Sequence, residues 1–163
     1  MNKTNNRGFS LLELIIVITI MAIITGISVP KYMAYIGKTR LHSDKEILNT
    51  IYNACTIAYF DSDVDITSIT TDANGGVVDV TDQISSATLG STTTPQPWGD
   101  AVLDILGMSW EDISDKFRSS EIKENKENIR VEIDADGNFK VTVVGVTDPE
   151  DPNGGDYTVP QQY

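Results

Sequence analysis

The chain begins with a long apolar run, and its pattern of hydrophobic and polar residues changes at about residue 30. Residues 9–29 contain a single charged side chain, Glu13, and have no polar face. As a helix this segment would be about 31 Å long, close to the thickness of the hydrocarbon core of a bilayer. A helix that is apolar on every side belongs in lipid or in the middle of a helical bundle.

A second helical pattern, apolar on one side only, covers residues 30–60. Charged and polar side chains fill the rest of this segment, and Asp44 is assigned with them to the exposed face. A helix with one apolar stripe must bury it, and the domain that follows is the nearest surface. Cys55 lies on the stripe and is expected to be a small buried residue rather than a reactive thiol. The stripe consists of Leu48, Ile51, Tyr52, Cys55, Ala58 and Tyr59.

The clearest β pattern lies within residues 129–145. Residues 129–134 alternate between apolar and polar side chains, and residues 139–143 alternate again. Residues 135–138, between the two runs, have the composition of a turn. The pattern predicts an antiparallel hairpin whose apolar face lies on the amphipathic helix of residues 30–60, the stem helix.

Weaker patterns complete a C-terminal head, residues 61–163. Residues 77–80 and 157–159 predict two short strands, and residues 99–106 predict a short helix. Ser109 precedes an acidic turn and is expected to cap another helix. The side of that helix expected to join the core, rather than to stack on a ligand, carries Trp110, Ile113 and Phe117.

These elements together predict an α+β fold. A long N-terminal helix, hydrophobic in its first half and amphipathic in its second, packs on a small antiparallel β-sheet head. The head would consist of a loop region, residues 61–128, the hairpin, and a C-terminal tail, residues 146–163.

The net charge of −12 is unevenly distributed. Eleven acidic residues and no Lys or Arg lie between Asp61 and Asp115. Such a head repels nucleic acid, so direct nucleic-acid binding is not expected. The acids would form either a solvated surface or a partner for the basic stem, residues 31–60, of a neighbouring copy.

The composition argues against an enzyme. The chain has one cysteine and one histidine, which leaves little material for acid–base chemistry, a disulfide or a histidine-rich metal site. No nucleophile elbow or phosphate-binding loop is visible. A signal-anchored enzyme or binding protein would need a pocket of convergent polar groups, which the sequence does not reveal. No cofactor is expected.

Asp134, Asp136 and Asn138 offer one weak metal candidate. Their spacing is that of the start of a calcium loop, but the distal glutamate of an EF-hand is missing. The same residues are typical of a tight turn, and this second interpretation is favoured.

The N-terminus has the features of a processing signal. Lys3 and Arg7 precede the apolar run, which keeps the N-terminus cytoplasmic by the positive-inside rule. No small-residue cleavage site follows the run. Cleavage at the Gly8–Phe9 junction would instead remove residues 1–8 and leave the hydrophobic helix on the mature protein.

Glu13 requires an explanation within an apolar helix. It could be an interfacial acid that reaches water near the end of the membrane segment. Alternatively, a copy displaced along the helix axis could place its α-amine, at Phe9 after cleavage, against this carboxylate, so that each charge neutralises the other.

Gly26 and Pro30 mark a weak point in the predicted helix. Pro30 has no N–H for the carbonyl of Gly26, and glycine is itself a poor helix former. The pair would form either a simple kink at the membrane exit or a segment that unwinds when subunits pack.

Residues 7–35 resemble the N-terminus of type IV pilins and pseudopilins. The resemblance rests on Gly8, Phe9, Glu13 as the fifth mature residue, the uncharged helix and Pro30. It implies cleavage after Gly8 by prepilin peptidase, N-methylation of Phe9 and pairing of Glu13 with a neighbour's amine. It also implies a helix that is often melted around Gly26 and Pro30 in the fibre.

The resemblance further implies a structural role. A subunit of this kind stays in the cytoplasmic membrane until a platform protein and ATPases assemble it into a helical homo-oligomeric surface filament, with roles in adhesion, twitching motility or DNA uptake. The alternative is a pseudopilin of a type II secretion or competence system. Many pilins staple the C-terminal region with a disulfide. Cys55 has no partner, so we expect the tail to be held by strand pairing or packing.

Overall fold

The computed structural model describes residues 10–69, 77–148, 151 and 153–160. These residues fall into two compact units, Met1–Lys38 and Thr39–Tyr163. Helix α1, Leu11–Phe60, belongs to both units and is helical at Pro30.

A four-stranded antiparallel sheet forms the main layer of the second unit. Among the described residues, the strands are β1 (Val64–Asp65), β2 (Val78–Asp79), β3 (Gln96–Pro97), β4 (Ile129–Ile133), β5 (Phe139–Thr147) and β6 (Asp156–Val159). The sheet has the order β2-β4-β5-β6, and β1 pairs with β3 in a separate parallel ribbon. The predicted hairpin is confirmed: Ile129 pairs with Val143, and Ile133 pairs with Phe139. Strand β5 continues to Thr147, beyond the predicted end of the hairpin.

Short helices fill the loop region. They are α2 (Thr81–Ser85), α3 (Trp98–Leu106), α4 (Trp110–Asp115), α5 (Ser120–Glu124) and the 3₁₀ turn Lys126–Asn128. Helix α3 matches the predicted helix, and the Ser109 hydroxyl accepts a hydrogen bond from the Asp112 backbone N–H at 3.2 Å, as expected of an N-cap. Ile113 and Phe117 are buried, which confirms their assignment to the core.

The core lies between α1 and the sheet. Alternate residues of β4 are buried because a strand points successive side chains to opposite faces. In β5, Phe139, Val141 and Val143 follow the same alternation, and Thr142 between them is buried as well. The buried apolar residues of both strands join one hydrophobic cluster with the buried stripe of α1. Cys55 is fully buried there, as expected. The α+β prediction, with the helix packed on a small antiparallel sheet, is confirmed.

Trp98, the first residue of α3, contacts both α1 and the sheet. Its side chain is fully buried, and its ring stacks on Phe139 at a centroid distance of 5.5 Å. The indole N–H donates a hydrogen bond to the carbonyl oxygen of Cys55 at 3.4 Å. One residue of α3 therefore contacts both layers, with its polar atom satisfied.

The C-terminal strand is held without a disulfide. Strand β6 pairs with β5, with Val141 opposite Val159 and Val143 opposite Tyr157. The buried Tyr157 hydroxyl donates a 2.6 Å hydrogen bond to the carbonyl oxygen of Leu41 on α1. Strand pairing and packing therefore secure β6, as the lone cysteine predicted.

Candidate processing and assembly site

The first unit contains the apolar segment of α1, residues 11–29. All described side chains from Ser10 to Tyr35 are exposed, and Leu11 and Met21 have relative exposures of 75% and 62%. By length and composition alone, α1 is able to cross a membrane. Apolar surface of this extent is stable only in lipid or against other apolar surfaces.

Glu13 lies in the first turn of α1. Its Oε2 accepts a hydrogen bond from the Ser10 backbone N–H at 3.4 Å, a long bond for a carboxylate. The positive end of the helix dipole favours an acid at this position. Gly8 and Phe9, the predicted cleavage pair, lie outside the described residues.

Gly26 and Pro30 both lie inside α1. A Cβ atom built on Gly26 would meet no heavy atom within 4 Å, so packing within the chain does not require glycine there. The missing N–H of Pro30 removes the usual helical donor to the Gly26 carbonyl. The chain by itself is therefore helical at a point where one hydrogen bond of the helix is absent.

The apolar run is followed by two lysines and two tyrosines: Lys31, Lys38, Tyr32 and Tyr35. All four side chains are exposed, with Tyr32 and Tyr35 at 64% and 66%. The run is thus followed directly by two cations and two amphipathic rings, residue types that suit a membrane interface or a subunit interface.

The predicted calcium candidate has the geometry of a turn. Asp134 Oδ1 accepts hydrogen bonds from the backbone N–H groups of Asn138 at 2.8 Å and Asp136 at 3.0 Å. The hydrogen bonds from Asn138, followed by those from Asp136 and Gly137, hold the pKa of the exposed Asp134 carboxyl below its usual value. Gly137 has a φ of 82°, which favours glycine at this point of the hairpin. No group of three or more His, Cys, Asp or Glu side chains suited to a metal occurs in the part of the chain that the structure describes.

Cys55 is a free, buried thiol. Burial raises its pKa well above the ordinary value, which suppresses the reactive thiolate. The prediction of an unreactive structural cysteine agrees with this environment.

The prediction that Asp44 lies on the exposed face of the helix was wrong. Its side chain is completely buried, and its two carboxylate oxygens accept hydrogen bonds from the backbone N–H groups of Arg118 at 2.7 Å and Ser119 at 2.8 Å. Residue 44 is three residues after Leu41 and four before Leu48, both buried. The helical period therefore indicated a buried position, which the charge of the side chain obscured.

Comparison with known proteins identifies the N-terminal signal. Residues 3–29 match the family model described as the prokaryotic N-terminal methylation motif, which is the class III signal peptide of type IV pilins. No curated protein and no solved structure is significantly similar to the chain. The motif and the apolar helix fit a membrane-anchored precursor of the pilin and pseudopilin type, processed by prepilin peptidase.

Proposed function

We propose that the chain is the precursor of a structural filament subunit, a type IV pilin. Prepilin peptidase cleaves between Gly8 and Phe9 and methylates the new N-terminus. The mature subunit is held in the cytoplasmic membrane by residues 9–29 until the platform protein and ATPases of the assembly machinery extract it into a surface filament.

One observation carries this proposal: a methylation-type signal is continuous with a helical segment, residues 11–35 of α1, that is exposed on every side. The second unit already has its own buried core. The apolar segment of α1 therefore has no obvious role in folding the head. Lipid covers the helix before assembly, and the helices of neighbouring copies replace lipid afterwards.

Glu13 sets the packing of these helices in the proposed filament. A carboxylate moved from water into an apolar bundle is costly unless an opposite charge accompanies it. The amine of Phe9 from a neighbouring copy supplies that charge at a position four residues from Glu13 in the sequence.

Gly26 and Pro30 are the proposed site of unwinding during assembly. The Gly26 carbonyl already lacks its helical donor, so opening the helix there breaks fewer hydrogen bonds than elsewhere. Glycine also gains more backbone entropy than other residues when it leaves a helix.

Intact-mass measurement of the mature protein tests the processing step. We expect loss of residues 1–8 and the addition of one methyl group, whereas a host without prepilin peptidase should retain the leader. A leader retained in a host with an active peptidase would contradict the proposal. Electron microscopy of sheared surface fractions then separates the two filament classes, because long surface fibres indicate a pilin and short envelope-bound filaments a pseudopilin.

A further inference from the structure

The first two lysines beyond the apolar run lie on one side of α1. Lys31 and Lys38 are seven residues apart, and both side chains are exposed. Seven residues turn an α-helix by about 700°, so the two lysines lie within about 20° of each other around the axis. Both belong to the first unit, in a stretch of α1 that follows Pro30. Together they form a basic face, Lys31 and Lys38, next to the membrane segment.

Both lysines are close enough to the end of the apolar run to reach the headgroup layer of a bilayer. Lys31 lies about 3 Å beyond Val29 along the helix axis, and Lys38 about 14 Å beyond it. The headgroup layer is about 5–7.5 Å thick on each side of a membrane. An extended lysine side chain adds about 6 Å, and helical side chains lean toward the N-terminus, which is the direction of the membrane here. The ammonium group of Lys31 therefore lies within this layer, and that of Lys38 reaches its outer edge.

The distribution of charge favours an anionic partner for this basic face. No acidic residue lies between Glu13 and Asp44, so the adjoining sequence supplies no carboxylate to neutralise the lysines. Eleven acids and no Lys or Arg lie between Asp61 and Asp115. An anionic lipid surface thus attracts the lysines and repels the head. The two effects together favour contact of the membrane with the basic face rather than with the acidic part of the chain.

We propose that Lys31 and Lys38 bind the phosphate groups of anionic phospholipids in the outer leaflet while the subunit is held in the membrane. This contact rests on the membrane-held stage of the proposed function and does not involve the filament. Single spans are commonly tilted by about 20°. A tilt toward the basic face brings both ammonium groups nearer to the phosphates, so the lysines fix the direction in which the stem leaves the bilayer.

The lipid preference of the full-length protein tests the contact. Wild-type protein purified from membranes is reconstituted in phosphatidylcholine vesicles. Electron spin resonance then compares the association of spin-labelled phosphatidylglycerol with that of spin-labelled phosphatidylcholine. We expect a several-fold preference for the anionic lipid, which high salt weakens. The double variant Lys31→Gln and Lys38→Gln should bind the two lipids about equally. Lys116→Gln, which removes an exposed lysine from the head, is the matched control and should keep the wild-type preference.

The orientation of the helix tests whether the lysines act from one face. Solid-state NMR of isotope-labelled backbone amides in residues 31–38 measures the tilt in oriented bilayers that contain phosphatidylglycerol. We expect wild-type protein to tilt toward the basic face. Lys31→Gln combined with Met33→Lys keeps the net charge but moves one cation about 200° around the helix, so the tilt toward the basic face should decrease. An unchanged tilt in this variant would contradict binding from one face.

The outcomes separate the lipid contact from the proposed function. Equal association of the two lipids with wild-type protein, or a preference that survives in the double variant, would overturn the lipid contact. Weaker self-association of the double variant, without any change in lipid preference, would assign the lysines to an acidic surface of a second copy. Wild-type protein that alkaline carbonate extracts from the vesicles would instead contradict the membrane-held stage of the proposed function.

Discussion

The carboxylate of Asp44 on α1 accepts a hydrogen bond from the backbone N–H of Ser119, 2.8 Å away. Ser119 is the N-cap of α5, and its own hydroxyl accepts a hydrogen bond from the Ile122 N–H. The buried acid thereby links the long helix to a five-residue helix that is too short to be stable alone.

Replacing Asp44 with Ala should destabilise the second unit. Two N–H groups, those of Arg118 and Ser119, would lose a charged acceptor, at a cost of about 3 kcal/mol in the free energy of unfolding. Urea unfolding of residues 39–163, followed by circular dichroism, measures this loss. Glu46→Ala is the matched control, because Glu46 is an exposed acid on the same helix and should change stability by less than about 0.5 kcal/mol. Equal effects of the two substitutions would show that the buried bonds contribute little.

The elements that the sequence predicted are those determined by local pattern. The hairpin of β4 and β5 follows from alternation and a turn, and the cap at Ser109 follows from a hydroxyl before an acidic turn. The signal at residues 3–29 was recognisable because its order of basic, Gly–Phe, acidic and apolar residues is specific.

The missed features depend on contacts between distant parts of the chain. Helix α2 was not predicted, and the Thr81 hydroxyl at its start accepts a hydrogen bond from Val131 N–H, 50 residues away. Asp44 was assigned to the surface because an isolated acid has no partner in a sequence pattern. Its partners are backbone groups 74 and 75 residues away. Such bonds are decided by tertiary packing, which local periodicity does not encode.

Tyr157→Phe tests how the C-terminal strand is held. The variant keeps the buried ring but loses the hydrogen bond to the Leu41 carbonyl, so the free energy of unfolding should fall by about 1 kcal/mol. Thermal unfolding of residues 39–163 provides the measurement. Tyr52→Phe is the control, because Tyr52 is half-buried on α1 and should tolerate loss of its hydroxyl. A loss of stability in Tyr52→Phe with none in Tyr157→Phe would show that the hydrogen bond from Tyr157 to Leu41 does not hold the strand.

The Asp134 turn should make a pH-dependent contribution to stability. The pKa of Asp134 is lower in the folded chain than its ordinary value of 3.8. The contribution is therefore complete above that pH and is lost as the pH falls through the folded-state pKa. Asp134→Ala should lower the Tm of residues 39–163 at pH 7, and the difference from wild type should shrink at pH 3. A difference that does not depend on pH would exclude the charged turn.

Calcium addition distinguishes the turn from a metal site at the same residues. With Asp134 engaged by the backbone of Asp136 and Asn138, we expect no change in the Tm of residues 39–163 between excess calcium and excess chelator. Asp136→Asn serves as the control, because it removes one ligand of the calcium alternative and should behave like wild type in both solutions. A rise in Tm with calcium that the variant lacks would establish a calcium site.

Glu13→Ala should block assembly and leave membrane insertion unchanged. Membrane insertion depends on the apolar side chains of residues 9–29. Removing the charge of Glu13 does not weaken it, because a charged side chain disfavours insertion. Assembly of the variant would bury the amine of Phe9 in the apolar bundle without its carboxylate, which costs several kcal/mol per subunit. Sheared filament yield, compared with the amount of processed protein in the membrane, measures the two steps separately. Glu111→Ala, at an exposed acid in the head, controls for loss of charge and should assemble normally. Normal filament yield from the Glu13 variant would assign this carboxylate to the membrane interface.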